Sequence, residues 1–218
     1  MMFKTVFFAM FLPVCLVAAA AAAADQRPEI THDGLHRVPD AKVAGAYVKP
    51  DADFSGYQRI MLLEPYIAFK KNWQRDHRDV SKTDMERIKR RGAELFKTTF
   101  TDVLEAGGYP VVYDEGDDVL LIRPALIDLD VAAPDTLKAG RTRTFTTNAG
   151  AVTLFIELYD SVSGEILARA VDRRTGRDSR SSWRMSGTSV HNSAEARRVF
   201  KQWAELLKQR LDEVRGLR

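Results

Sequence analysis

Apolar side chains recur along this chain in three rhythms, and each rhythm specifies a different element. The first is continuous. Val6 to Val17 is an unbroken apolar run, preceded by the single charge of Lys4 and followed by seven alanines, Ala18 to Ala24, before the chain turns polar at Asp25. A cationic head, an apolar stretch and a small-residue exit make a secretory signal peptide. Cleavage is expected after Ala24, with Ala22 and Ala24 in the pockets a signal peptidase reads.

The second rhythm has steps of three and four. Met85, Ile88, Gly92, Leu95, Phe96, Phe100, Val103 and Leu104 make one stripe, with Arg87, Lys89, Arg90, Glu94, Lys97 and Asp102 on the other side. That is an amphipathic helix. Ser81 followed three places later by Asp84 opens it, and Gly107-Gly108 close it, because glycine accepts the left-handed conformation of a helix end. A second stripe, Ala196, Val199, Phe200, Trp203, Leu206, Leu207, Leu211 and Val214, predicts a final helix capped by Asn192 or Ser193, with Glu195 completing the cap. Phe100, Phe200, Trp203, Leu95 and Leu207 are the expected core.

The third rhythm is alternation, or short aliphatic and aromatic runs, which mark strands. Tyr57 to Phe69 reads as one strand with an edge or bulge at Pro65. Tyr109 to Tyr113 is a short strand, and Val119 to Ala132 a longer one with a break expected at Pro124. Arg141 to Thr147 is a further candidate. Val152 to Asp160 and Glu165 to Arg173 flank the turn Ser161 to Gly164 and predict a hairpin. The order β-α-β-β-β-β-α implies an α/β (α+β-like) fold. The expected form is a two-layer sandwich, a mixed sheet of about five strands with two helices on one face. Residues 25–55 are polar and punctuated by Pro28, Pro39 and Pro50, and read as an extended arm; residues 56–218 read as one domain.

Charge narrows the possible partners. Lys and Arg total 33 against 30 Asp and Glu, a formal net charge of +3, with the two signs interspersed. That is a solvated surface rather than a nucleic-acid footprint. Cys15 is the single cysteine and leaves with the leader, which removes disulfides and thiolate ligands from consideration. Val14 stands where a lipidation site needs a small residue; were Cys15 retained, the protein would be a lipid-anchored structural lipoprotein. The expected location is the periplasm, with outer-membrane association as the alternative.

The titratable residues suggest no cofactor and no metal. His32 and His36 have a helical ligand spacing but sit beside Gly34 and Pro39, and the cluster Asp76, His77 and Asp79 is flanked by Arg75 and Arg78. Asp128 and Asp130 would share a strand face, and a carboxylate pair can divide acid and base roles. They carry the alternative of a hydrolase; they also serve to guard a strand edge. The leading expectation is a non-enzymatic binding or assembly module. Phe155 and Tyr159 share one side of a strand, and Leu167, Val171, Arg169 and Arg173 share one side of the next. Arg174, Arg177, Arg180 and Arg184 continue past it with Trp183 among them. Such an aromatic-plus-arginine surface suits an envelope protein, a glycan or an anionic lipid headgroup. Alternatively the arm folds over it, using Tyr47 and Phe54.

Three segments, DGLHRVPDAKVAGAYVKPDADFSGYQRIMLLEPYIAF, IELYDSVSGEILARAVDRRTG and NSAEARRVFKQWAELLKQRLDEV, together resemble domain-of-unknown-function family 3313, a group of Gram-negative envelope proteins. The resemblance runs from about Asp33 to Val214, with Trp203-Ala204 and Leu211-Asp212 typical. Many members look like lipoproteins, a pattern from which Val14 departs. The resemblance implies envelope residence and supplies no catalytic residues.

Overall fold

The computed structural model describes residues 27–78, 80–131, 150–175 and 189–217. Its centre is three long antiparallel strands: β6 (Val119–Asp130), β7 (Ala151–Asp160) and β8 (Ile166–Thr175). The remaining strands extend this core in both directions. β2 (Gly45–Val48) pairs antiparallel with β8, and β1 (His36–Arg37) with β2. On the other side β3 (Arg59–Leu62) and β4 (Tyr66–Phe69) lie one after the other along the same edge of β6, both parallel to it, and β5 (Val111–Val112) lies outside β3. Among the described residues the sheet therefore has eight strands in the order β1-β2-β8-β7-β6-β3-β5, with β4 on β6. It is mixed, as expected, and open, and three strands larger than the five the sequence suggested.

Two of the differences have a proline cause. Tyr57 to Phe69 is two strands, because Pro65 cannot donate to the ladder. Val119 to Ala132 is not broken at Pro124: β3 ends opposite Ile122 and β4 begins opposite Ala125. The gap between them faces Pro124, where the missing N–H removes nothing from the sheet. A third difference is the arm. Within it His36–Arg37 and Gly45–Val48 are strands of the sheet. Arg141 to Thr147 lies outside the described residues.

Of the helices, α1 (Trp73–Asp76) is a single turn; α2 (Lys82–Ala106) and α3 (Ser189–Val214) are long and pack side by side on one face of the sheet. The Ser81–Asp84 capping box is present, and Gly108 takes a φ of +85° just past the helix. α3 begins before Asn192 and Ser193, which lie within it instead of capping it; the interior of a helix penalises these residues too weakly to stop it. Phe96 stacks on Phe100 and meets Phe200 edge-on at 5.3 Å, joining the helices. Beneath them lie Ile60, Leu62, Leu120, Ile122, Leu126, Leu154, Ile156 and Leu158. Phe100, Phe200 and Trp203 are buried as expected, with Leu95 and Leu207 packed at the margin.

Candidate functional site

The side chains on the helix-facing side of the sheet shrink toward one edge. Across the ladder, Ile156 on β7 is followed by Ala170 on β8 and Ala46 on β2; Leu158 is followed by Ala168 and then Val48. Central strands fill the space under the helices, and the edge strands do not. The result is an apolar trough of about 340 Å³ between β2–β8 and the flank of α3. Trp203, Leu206, Leu207, Arg210, Leu211, Glu213 and Val214 of α3 line one wall; Val38, Ala41, Lys42, Val43 and Phe54 come from the segments flanking β2. Cavities of this size and apolar lining are usual for small-molecule sites.

Asp172 fixes the head of the trough. It occupies the same face as Ala168 and Ala170 and is buried. Its carboxylate accepts hydrogen bonds from the Trp203 Nε1–H at 2.8 Å, the Arg174 Nε–H at 2.7 Å and the Ala44 backbone N–H at 3.1 Å. One buried group thus ties α3, β8 and the segment entering β2 together. At the far end, buried Asp212 accepts from the Tyr109 hydroxyl and the Lys208 ammonium; burial, then that carboxylate, push the Tyr109 hydroxyl above its ordinary pKa. A polar depression adjoins the trough, lined by Lys42, Arg174, Gln202, Glu205, Leu206 and Gln209.

The opposite face of the sheet carries a charged network. Arg169 Nη2 lies 2.8 Å from Glu157 Oε1 directly across the ladder and 2.5 Å from Asp33 Oδ2. Glu157 also accepts from the Tyr159 hydroxyl at 2.8 Å. The Arg169 guanidinium, with the Thr31 hydroxyl, holds the Asp33 carboxyl down at about 2. Burial, then Glu157, push the Tyr159 hydroxyl above its ordinary value. Arg169 also lies over the Phe155 ring, its Cζ 5.6 Å from the centroid.

The predicted partner residues divide accordingly. Phe155, Tyr159, Arg169 and Arg173 share this face, as expected. Leu167 does not: it is the extra residue of a bulge between β7 and β8, it is buried in the core, and it is corrected from surface to interior. Arg174 turns to Asp172. Arg177, Arg180, Trp183 and Arg184 lie outside the described residues. The arm reaches the patch through Asp33 and through Tyr47, which sits opposite Arg169 and is buried; Phe54 goes to the helix side instead.

The two carboxylates of the expected pair have different partners. Asp128 adopts a φ of +52° at an irregularity in the β6–β7 register. It faces Arg173 at 3.7 Å, whereas Asp130 bonds Lys70 at 3.0 Å. His77 stacks on Trp73, its Nδ1 2.8 Å from the Trp73 carbonyl oxygen, and Asp79 lies outside the described residues.

The sequence reading missed Asp172, Glu157 and the alanine row. The signal was present, since Ala168, Ala170 and Asp172 alternate with bulkier residues along one strand. A row of small residues ending in a carboxylate means a cavity only once its neighbours are known.

Among curated proteins no significant match is found. Among solved structures the chain is similar to a PelC dodecamer subunit from Paraburkholderia phytofirmans, at 14% identity and a TM-score of 0.38, covering 72% of this chain and 93% of that one. It is also similar to a DUF4136 family protein from Bacteroides thetaiotaomicron, at 13% identity and a TM-score of 0.35, covering 74% and 95%. The family model for proteins of unknown function DUF3313 matches residues 29–207, so the chain belongs to that family.

Proposed function

We propose that the protein is an exported, non-enzymatic binding module of the cell envelope, and that the trough beside α3 is where it binds. The observation that carries this reading is the trough itself: a cavity walled by carbon, at a place where larger side chains would have closed the core. Of the two carboxylates in its wall, Asp172 is engaged by three donors and Glu213 by Gln209 and Arg210, which suits structural ties better than acid–base work. The leader-like N-terminus supports export, and among the described residues no helix is long and apolar enough to cross a membrane.

A photoreactive amino acid at Leu206, on the trough wall, tests the reading in living cells. Irradiation is expected to yield an adduct with a lipid or a protein of the envelope fraction, absent when the same group is placed at Arg123 on the opposite face. No adduct at position 206, or equal adducts at both positions, overturns it.

A further inference from the structure

We propose that the trough holds a single acyl chain, the hydrocarbon tail of an anionic amphiphile whose head lies at Lys42. This inference rests on the binding-module reading above and adds the class of ligand.

The dimensions come first. Trp203 and Val214 bound the α3 wall, and eleven helical steps at about 1.5 Å make it about 16 Å long. The hydrocarbon core of a bilayer is about 30 Å thick, so one acyl layer is about 15 Å. A single polymethylene chain can enter the trough along that length, whereas a helix with its side chains, about 10–12 Å across, could lay only one face against the opening.

The chemistry of the walls excludes an extended peptide. A lodged strand would need partners for its own N–H and C=O groups. The backbone of β2 is occupied along both edges: β8 pairs with one, and on the other β1 pairs and Val38 N–H donates to the Ala46 carbonyl. Most of the remaining wall is side-chain carbon, from Val48, Phe54, Ile156, Leu158, Leu207 and Leu211, with Arg210 and Glu213 also lining it. Burying unpaired amides there is costly, whereas a hydrocarbon has no polar group to satisfy.

The head is placed by Lys42. This exposed lysine lines both the trough and the polar depression beside it. Gln202 also lines that depression, as does Gln209, which donates to Glu213, while Arg174 and Glu205 there are already matched with Asp172 and Lys201. A carboxylate or phosphate emerging from the trough at Lys42 meets a cation at the boundary between carbon and water.

The test uses the full chain and cis-parinaric acid, a linear fluorescent fatty acid, with dodecanoate, lauroyl lysophosphatidylglycerol and dodecyl maltoside as competitors. The wild type is expected to bind the fluorescent acid and to transfer energy to it from Trp203, a transfer reduced in Trp203→Phe. Ala170→Leu, which places a larger side chain in the trough, should weaken binding at least tenfold while the melting temperature holds or rises. Lys42→Ala should weaken dodecanoate or the lysophospholipid several-fold and leave the neutral maltoside unchanged; which of the two anions competes better separates carboxylate from phosphate heads. Should Ala170→Leu fail to fold, the drop in energy transfer from wild type to Trp203→Phe still decides the matter. An absence of binding, or binding indifferent to both Ala170→Leu and Trp203→Phe, overturns the proposal. If that failure comes with a protein adduct at Leu206, the acyl chain is wrong and the binding module stands; with no adduct, both fall.

Discussion

Asp172 is one carboxylate serving three donors, and its loss has a calculable effect. Asp172→Ala leaves the buried Trp203 indole and the Ala44 amide without an acceptor. At about 1–3 kcal/mol for each orphaned group, a loss of roughly 3 kcal/mol is expected in chemical denaturation, and a value below 1 would show that water replaces the carboxylate. Trp203→Ala removes the ring as well as its hydrogen bond, and should cost roughly 3–5 kcal/mol. On the other face, the Asp33 carboxyl is held at about 2 against an ordinary 3.8 by the Arg169 hydrogen bond and the Thr31 hydroxyl. A depressed carboxylate stabilises the fold above its unfolded pKa and ceases to do so as pH falls through the folded one. The melting-temperature gap between wild type and Asp33→Asn should thus be full above pH 3.8 and shrink as pH falls toward 2; a gap independent of pH would remove the ionic contribution. Trp203 was legible as core from its helical spacing alone. Asp33 and Asp172 were not, because their partners lie 136 and 31 residues away, and no local pattern encodes such a meeting.

The elements divide the same way. Each long helix was readable because a stripe repeats over many turns, and α2 carried its own start and stop. Gly108 is the stop: it has a φ of +85° and open space where a Cβ would go, so Gly108→Ala should cost only the conformational strain, about 1–2 kcal/mol, read from thermal melts. β1 and β2 were hidden because two- and four-residue strands in a proline-punctuated stretch have too little alternation to register, and hydrogen bonding to β8 decides their state. The reach of the arm onto the Arg169 face was half anticipated. Tyr47 goes there because β2 places it opposite Arg169, and Phe54, past the strand's end, is free to turn to the other side.

At the scale of the molecule, the export proposed above and the fold rest on separate parts of the sequence. Intact-mass measurement of envelope-derived protein is expected to give a chain starting at Asp25 without a lipid adduct; an acylated species starting at Cys15 would instead make this a lipid-anchored member of its family. The folded part is open-ended in one respect. Among the described residues the sheet is not closed, yet its outer strands are only two residues each at β1 and β5, and the outer side of β4 offers four. Short edges of this kind give an incoming strand too few hydrogen bonds to hold it. The protein should accordingly resist fibril growth even at the high concentrations of a crowded compartment. Two copies that do meet must recognise each other through side chains, where single substitutions can tune or abolish the encounter, and not through the backbone, where they could not.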